Sequence, residues 1–394
     1  MLDKRSSNSR EEEDAMTKAK LSAIRASKKV TRAVDQDTLK ILVEQILGEQ
    51  NGPEARRVKQ YFTSDVVEYL DALNVLASQL VGIGLQDPGP RTKFAQLCND
   101  VIAKGERAIT GLDKATAKRV KEGFRTVLAP WVTQNPFLER CLKKPRGYAG
   151  DFLMMEVGYL RWTAMEGGLA GAFDRYFADC YDNVRQRKIK LVDTIRRYLV
   201  NRTSLGTPLQ MISLGSGPCR EWVDLDHERR TGAFHDVAVN KTRLVCIDKD
   251  PEALAYGLQR LKGNSLLESV EIVEADLFNF TQAERWRGAE RTYDFIYGVG
   301  IANYFYDATL QNIIAGAISL VKPGGELMIT HKDGESFNFP VADWFCDWVF
   351  LKRSEHEFAA VFQEALSGCE GRFNFRVERI PDGTMFFGLV QRIV

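Results

Sequence analysis

The chain has 394 residues, of which 44% are hydrophobic and 27% are charged, proportions that are typical of a globular protein. A formal net charge of +1, with no concentrated basic stripe, argues against a nucleic-acid or membrane-surface partner. Seven cysteines without a C-x-x-C pair, and four histidines without the spacing of metal ligands, predict neither a disulfide framework nor a metal site.

The polar residues 1–15 predict a disordered start. This start lacks the apolar core of a secretory signal, and no apolar stretch approaches the ~20 residues of a membrane helix, so we expect a cytoplasmic protein without a membrane span. Residues 16–135 carry helical apolar stripes, which predict an all-helical N-terminal domain. The segment 136–205 is expected to cap the cleft of a second domain at 206–394.

In residues 206–394, strand-like runs alternate with helical stretches, which indicates a parallel sheet covered by helices. The runs occupy residues 209–214, 244–247, 270–273, 293–297 and 326–330. Two further β-rich runs, 373–380 and 385–394, flank a Pro-Asp-Gly-Thr turn and predict an antiparallel hairpin. The predicted fold class is therefore α/β, with a Rossmann-like, mostly parallel sheet of seven strands beside the helical domain.

The stretch MISLGSGPCREW, residues 211–222, takes a buried strand directly into Gly215-Ser216-Gly217 and then into a helix. Such a turn lets a ligand approach the backbone closely, and the helix N-terminus offers free N–H groups. A P-loop would need Gly-Lys-Ser/Thr, and a dinucleotide fingerprint would need glycine or alanine where this chain has Arg220. S-adenosylmethionine (SAM), which has no phosphate, is the third ligand that fits such a turn.

The other parts of a SAM site follow in chain order. Asp248 ends the second strand, where a carboxylate can accept from both ribose hydroxyls. Asp276 follows the third strand and can accept from the adenine amino group, and Leu277 can line the adenine slot. The remaining predicted cofactor contacts are Gly215, Ser216, Gly217, Arg220, Lys249 and Gly298.

Together these motifs resemble class I SAM-dependent methyltransferases over roughly residues 205–394, and the resemblance implies SAM as the cofactor. The usual family pattern at the first turn is acidic-x-G-x-G-x-G. This chain has Ser213 at the acidic position and Cys219 in place of the third glycine. Asp248, Asp276 and the Pro323-Gly324-Gly325 turn at the fifth strand support the resemblance.

A narrower resemblance rests on KPRGYAGDFLMMEVGY at 144–159, on Val184-Arg185-Gln186-Arg187 and on Pro218-Cys219-Arg220-Glu221. Over about residues 115–394 the chain is similar to bacterial methyltransferases associated with the biosynthesis of 3-hydroxy fatty acid methyl esters. This resemblance implies O-methylation of a carboxylic acid, such as a 3-hydroxy fatty acid. Relatives often carry a cyclic-nucleotide-binding domain upstream, where this chain has predicted helices.

Methyl transfer requires that nucleophile, methyl carbon and sulfur are aligned in a site that excludes water. A carboxylate nucleophile is already ionised and needs a cation to hold it, whereas an amine needs a group that removes its proton. The predicted catalytic residues are Tyr148, Asp151, Glu221 and His331. The predicted substrate-binding residues are Arg146, Arg185, Arg187, Asn303 and Tyr304. Trp344 and Trp348 share one face if their segment is helical; we expect core packing for both, and a wall of the acyl or aromatic substrate pocket is the alternative.

Other functions stay open at this stage. The acceptor could be a free amino acid or a guanidine such as arginine, oriented by Tyr148, Asp151 and Glu221. The chain could also be a non-catalytic SAM-fold module that binds a partner, and a steep salt dependence of binding would restore nucleic acid as a substrate. A homodimer through the helical N-terminal domain is a further option.

Overall fold

The structure is a computed structural model that describes residues 35–80, 88–159, 168–201, 207–232, 234, 241–282 and 293–393. The predicted disordered start at residues 1–15 lies outside these ranges. The described residues group into two compact units. One holds the described residues up to 145 with 168–176 and 344–347, and the other holds those of 146–162, 177–343 and 348–394. The predicted cap segment 136–205 contributes residues to both units.

The helices carry the labels α1 to α14 in chain order. They are α1 (Gln36–Leu47), α2 (Pro53–Gln60), α3 (Val67–Leu80), α4 (Pro88–Ile109), α5 (Lys114–Val132), α6 (Pro136–Lys143), α7 (Phe152–Tyr159), α8 (Gly168–Tyr176), α9 (Ala178–Asn201), α10 (Arg220–Thr231), α11 (Pro251–Leu261), α12 (Asp307–Leu320), α13 (Phe339–Cys346) and α14 (Glu355–Ser367). Within the described ranges, none of the helices combines the length and the hydropathy that crossing a membrane requires.

The first unit is built on an aromatic core. The Trp344 ring packs edge-on against Tyr61 at 5.7 Å and against Phe124 at 5.5 Å between ring centroids, and all three side chains are fully buried. Arg125, which is 7% exposed, forms an ion pair with Asp347 at 3.0 Å. The helical character predicted for residues 16–135 is seen in α1 to α5.

The second unit is built on a seven-stranded sheet with the strand order β3-β2-β1-β4-β5-β7-β6. The strands are β1 (Leu209–Leu214), β2 (Thr242–Asp248), β3 (Leu267–Glu274), β4 (Tyr293–Gly298), β5 (Val321–Lys332), β6 (Phe373–Arg379) and β7 (Met385–Arg392). Neighbours among β1 to β5 pair in parallel, and β7 pairs antiparallel with β5 and β6. The predicted α/β fold with its closing hairpin is therefore confirmed.

Both faces of the sheet are buried, which explains why the central strands read as continuous apolar runs. Along β1, Ile212 and Leu214 point to the core that α12 and α14 cover. Leu209 and Met211 point to the opposite core, which α9, α10 and α11 cover. Because parallel strands end at a common edge, the segments after β1, β2, β3 and β4 meet there, at the usual ligand site of open α/β sheets.

Candidate functional site

A cavity of about 380 Å³ lies at this carboxyl edge in the second unit. Its wall combines the segments that follow β1 to β4 with side chains of α7 and α9. The predicted site residues in the wall are Tyr148, Arg187, Gly215, Ser216, Gly217, Arg220, Glu221, Asp248, Lys249, Asp276, Leu277, Asn303 and Tyr304. The predicted site residues outside the wall are Arg146, Asp151, Arg185, Gly298 and His331. The fold thus brings most of the expected SAM contacts together around one space.

The glycines after β1 have a backbone conformation that other residues rarely adopt. The φ angle is +63° at Gly215 and +49° at Gly217. A Cβ atom on Gly215 would lie 2.5 Å from Cγ2 of Ile301, so the turn also needs glycine for close packing. At Gly298 a Cβ would lie 2.7 Å from Cδ1 of Ile301 and 2.9 Å from Cδ1 of Ile329. The glycine at 298 therefore serves sheet packing in this structure.

Asp248 is held in place by backbone N–H groups from two turns. Its Oδ2 accepts from Gly217 at 2.8 Å, and its Oδ1 accepts from Asp250 at 3.0 Å. Burial raises the pKa of Asp248, and these N–H groups oppose the shift. Each carboxylate oxygen keeps further acceptor capacity, so this fixed carboxylate can accept from two neighbouring hydroxyls of a ligand.

The wall beyond β3 is partly apolar. Asp276 is exposed, and its Oδ1 accepts from the backbone N–H of Phe278 at 3.0 Å. Leu277 is 7% exposed, whereas Phe278 is 58% exposed and packs edge-on against Phe305 at 4.9 Å. A flat ring entering here would meet an apolar surface beside a carboxylate.

The loop that carries Arg146 and Tyr148, within the predicted cap segment, contacts the turn after β2. Arg146 donates to Asp250 at 2.8 Å and also pairs with Glu252. These two acids lie outside the cavity and neutralise the charge of Arg146. Tyr148 does line the cavity, and the Lys249 ammonium lies 5.1 Å from its ring centroid. Burial raises the pKa of the Tyr148 phenol, so this hydroxyl stays protonated and serves as a donor rather than a base.

Asp151 caps a helix. It is 1% exposed, and its Oδ1 accepts from the backbone N–H of Met154 at 2.9 Å at the start of α7. The carboxylate predicted to act on a substrate is thus used on the backbone, outside the cavity wall.

We expect Asp151→Ala to lower the free energy of unfolding by about 1 kcal/mol, the usual value of a helix cap. Asp151→Asn should cost less, because asparagine keeps a capping oxygen. Urea denaturation of both variants measures the difference. Lost turnover in Asp151→Asn at unchanged stability would instead support the catalytic role predicted from the sequence.

A buried acid that the sequence analysis missed holds Arg220. Glu156, which is 4% exposed, accepts from Arg220 at 3.1 Å and from Arg260 at 2.8 Å. Arg220 also donates to Asp224 at 2.6 Å. Glu156 is the one charged residue in the apolar stretch FLMMEVGY, and this isolated charge was the sequence signal for a buried ion-pair network. Arg220 lines the cavity with its charge already neutralised.

Glu221 is a buried carboxylate in the cavity wall, 7% exposed. The Tyr297 hydroxyl donates to its Oε1 at 2.8 Å, and the same hydroxyl accepts from Nε1 of Trp222 at 2.9 Å. Ser213, at the position where the family pattern has an acid, interacts with the same phenol. Burial raises the pKa of Glu221 to about 7, against the effect of the Tyr297 hydrogen bond.

We expect Glu221→Gln to raise the melting temperature far more at pH 8 than at pH 5. The pKa of Glu221 in the folded protein, about 7, lies above the ordinary value of 4.5, so the fold loses stability as the pH rises from about 4.5 to about 7 and keeps that loss at higher pH. Glutamine keeps the oxygen that accepts from Tyr297 and removes the charge. Thermal unfolding of the ligand-free protein at the two pH values measures the effect, and an equal change at both would contradict it.

The two arginines of α9 have different surroundings. Arg185 donates to the Gly158 carbonyl at 3.0 Å and pairs with Asp182, away from the cavity. Arg187 is 6% exposed and lines the cavity, and its Nη2 lies 3.5 Å from Sδ of Met155. Its Nε has no hydrogen-bond partner among the described residues. Arg187 is therefore the arginine of this pair that faces the site.

His331 is fully buried and lies outside the cavity wall. Its Nδ1 lies 2.5 Å from the Lys332 carbonyl, and its Nε2 lies 3.0 Å from Nη1 of Arg353. Because a carbonyl only accepts and a guanidinium only donates, Nδ1 donates and Nε2 accepts, and the ring is neutral. Burial and the Arg353 charge lower the pKa of His331 to about 3. Both ring nitrogens are engaged within the fold, which speaks against the predicted catalytic role.

The side of the cavity beyond β4 and β5 is aromatic. Trp348 donates to the Tyr304 hydroxyl at 2.7 Å and packs against Phe350 at 5.2 Å. The Lys332 ammonium lies 4.0 Å from the centroid of Phe337, and Lys332 is 4% exposed. A lysine that ends a buried strand was the sequence signal for this residue, which the sequence analysis did not single out.

The two tryptophans do not lie on one helix, so the condition for a shared face is not met. Helix α13 ends at Cys346, and Asp347 has a φ of +48°, so the helical spacing does not continue to Trp348. Trp344 belongs to the core of the first unit, whereas Trp348 lines the cavity of the second unit.

A metal site needs several ligand side chains close together. In the ranges that the structure describes, no three or more His, Cys, Asp and Glu residues are grouped so that they could hold a metal ion.

No family model and no curated protein matches the chain. Among solved structures, a possible exported protein from Bordetella parapertussis is 15% identical, with 93% of this chain and 100% of that chain covered and a TM-score of 0.48. The N-methyltransferase NodS from Bradyrhizobium japonicum WM9, in complex with S-adenosyl-L-homocysteine (SAH), is 13% identical, with 52% and 87% covered and a TM-score of 0.35. Magnesium protoporphyrin IX methyltransferase (ChlM) from Synechocystis PCC 6803, with bound SAH, is 12% identical, with 54% and 87% covered and a TM-score of 0.38.

Proposed function

We propose that this chain is a SAM-dependent methyltransferase that acts on a small molecule in the cavity at the carboxyl edge of its sheet. The observation that carries the proposal is the placement of Asp248. Its carboxylate lines the cavity and is fixed by N–H groups of the glycine turn and of the next turn. A fixed bidentate acceptor beside a glycine turn suits a ribose diol next to a group that approaches the backbone closely.

The rest of the cofactor finds matching surfaces in the same cavity. Leu277 and Phe278 offer apolar contact to the adenine ring, and the exposed carboxylate of Asp276 lies beside them as an acceptor for the adenine amino group. The turn at Gly215 and Gly217 leaves its backbone without side chains where the methionine part would lie. SAM supplies the methyl group and a neutral thioether leaving group.

For the acceptor, we propose a carboxylic acid such as a 3-hydroxy fatty acid. Lys332 places a buried cation in the cavity wall, where its Nζ donates to Oδ1 of Asn183 at 2.6 Å. Tyr304, Trp348 and Phe350 line the neighbouring wall with aromatic surface, which suits an acyl chain. In the reaction, a carboxylate oxygen bonds to the methyl carbon while the carbon–sulfur bond breaks and its electron pair stays on sulfur. The products are a methyl ester and SAH, and no proton is transferred.

An amine or guanidine acceptor is the second candidate, and Glu221 is the observation that favours it. Its carboxylate lines the cavity, and its pKa of about 7 suits the removal of a proton near neutral pH. Asp151, which the sequence analysis gave the same role, is occupied as a helix cap. Fewer side chains are therefore available to take a proton from an amine than the sequence suggested.

The test is incubation of the purified chain with methyl-labelled SAM and separate acceptors, followed by mass spectrometry. The acceptors are 3-hydroxy fatty acids, free amino acids including arginine, and bulk RNA. A labelled methyl ester supports the proposal, and a labelled amine or guanidine would replace the acid by the second candidate. Bound SAM without any labelled product would favour the non-catalytic module instead. Asp248→Asn serves as the control, because its label transfer should fall with its affinity for SAM.

Three sequence predictions stay predictions. They are the cytoplasmic location, the homodimer through the helical domain and the capping role of residues 136–205. Fractionation of cells addresses the first and light scattering the second.

A further inference from the structure

We propose that Arg187 and Glu221 bind the two charged groups of the methionine part of SAM, Arg187 the α-carboxylate and Glu221 the α-ammonium. The inference rests on the proposed function and deepens it, because it assigns two residues of this chain to one end of the cofactor. It also moves Arg187 from the substrate and Glu221 from catalysis, where the sequence analysis placed them, to the cofactor.

The first observation is a buried guanidinium without an acid. Arg187 is 6% exposed and lines the cavity. Within the part of the chain that the structure describes, it forms no ion pair, and its side-chain contacts are with two neutral groups, the sulfur of Met155 and the phenol of Tyr159. Its Nε has no partner there either. A buried arginine in this condition is costly, and a ligand carboxylate would supply the missing charge and bidentate acceptors.

The second observation is a buried carboxylate without a cation in contact. Glu221 is 7% exposed and lines the same cavity, and the hydrogen bond it receives comes from the neutral hydroxyl of Tyr297. In the described ranges no lysine or arginine lies within ion-pair distance of it; the charge of Lys188 lowers the pKa of Glu221, but Lys188 itself pairs with Asp224. A ligand ammonium would pair with this acid. The cation of Arg187 and the acid of Glu221 in one cavity match the carboxylate and the ammonium of a zwitterion.

The third observation is location. Gly300, just beyond β4, has a φ of +94°, and a Cβ on it would lie 2.5 Å from Nη1 of Arg187. Glu221 is at the start of α10, the helix that follows the glycine turn. Tyr159 also lines the cavity; its phenol is hydrogen-bonded to Arg187, which lowers the pKa of the phenol, while the charge of Glu221 raises it. The two charges therefore lie by the turns after β1 and β4, on the side of the cavity where the methionine part is proposed to extend from a ribose held by Asp248.

The acid gives the interaction a pH dependence. The groups that face Glu221 are Tyr297 on β4, Lys188 on α9, Tyr159 on α7, and Asp224 and Cys219 on or beside α10. Because an ammonium pairs with the ionised acid, affinity for SAH should rise as the pH increases through about 7, the pKa of Glu221. In Glu221→Gln this rise should disappear.

The experiment compares two ligands by calorimetry. SAH carries the amino-acid end, and 5′-methylthioadenosine has the same nucleoside without it. We expect Arg187→Met and Glu221→Gln each to weaken SAH binding about tenfold or more at pH 8, the size of one charge-assisted hydrogen bond. Both variants should bind 5′-methylthioadenosine as the unchanged protein does, which also shows that they are folded.

Matched controls lie on the same two helices. Arg197 on α9 is exposed and bonds to Thr194, and Glu228 on α10 pairs with Arg196. Arg197→Met and Glu228→Gln should leave binding of both ligands unchanged.

Unchanged SAH affinity in Arg187→Met and Glu221→Gln would overturn the inference while the SAM site stands. Unchanged SAH affinity together with a raised KM for the acceptor would overturn it in favour of an acceptor-binding role. Equal losses for SAH and 5′-methylthioadenosine would overturn it in favour of a structural role. If the unchanged protein binds neither ligand, the proposed function fails together with the inference.

Discussion

Replacing Asp248 with alanine is expected to weaken the binding of SAH by about tenfold to about 150-fold. The reason is that the ribose hydroxyls lose a charged acceptor worth ~1.5–3 kcal/mol. The effect should be large because Asp248 is already fixed, with Oδ2 on the N–H of Gly217 at 2.8 Å and Oδ1 on that of Asp250 at 3.0 Å. Isothermal titration of SAH into both proteins measures the ratio of dissociation constants.

The alanine variant also leaves those two N–H groups without their acceptor, so stability must be measured beside affinity. Asp248→Asn keeps one oxygen for the turns and removes the charge, and it should lose affinity with less effect on unfolding. Asp276→Ala is the matched control in the same cavity. Its carboxylate is exposed and receives a bond from the N–H of Phe278, so a smaller loss of affinity is expected. Unchanged affinity in both Asp248 variants would contradict the assigned ribose site.

Replacing Arg353 with methionine is expected to lower the free energy of unfolding by about 3 kcal/mol and to reduce turnover as well. The guanidinium is 5% exposed and donates to four acceptors: the carbonyls of Ala302 and Phe305, Nε2 of His331 and the carboxylate of Asp307. Each buried acceptor left unpaired costs about 1–3 kcal/mol. Asp307 is exposed, so water can replace the contact that its carboxylate loses, and this loss adds little to the cost. The same residue holds the segment that carries Asn303 and Tyr304 in the cavity wall.

Urea denaturation and turnover of the Arg353 variant measure the two effects. Arg376→Met is the matched control, because Arg376 is 42% exposed and pairs with Glu326 and Glu378 on the sheet surface. Exposed pairs of this kind contribute at most about 1 kcal/mol. Equal stability losses in the two variants would show that Arg353 is not the fixing point of the segment after β4.

The sheet could be predicted because its information is local. Apolar runs of strand length alternate with helical periods, and the turn at Pro381–Thr384 identifies the closing hairpin without reference to distant residues. The ends of those strands also indicated Asp248 and the glycine turn, since parallel strands share one carboxyl edge. These are the parts of the site that the structure brings together.

The remaining site residues depend on partners far away in the chain. Arg146 and Asp250 are separated by 104 positions, and so are Glu156 and Arg260, so neither pairing leaves a pattern in a short stretch. For the same reason, the sequence alone does not distinguish a polar residue that caps a helix, such as Asp151, from a catalytic residue. The end of helix α13 could not be predicted for another reason. Asp347 adopts a left-handed backbone conformation, which its residue type does not predict.

The most direct test of the central claim is an experimental structure of the chain with SAH. The account predicts that SAH lies in the cavity after β1 and β2, with both ribose hydroxyls on the carboxylate of Asp248 and the homocysteine part beside the glycine turn. SAH bound elsewhere, or a ribose without contact to Asp248, would contradict the account.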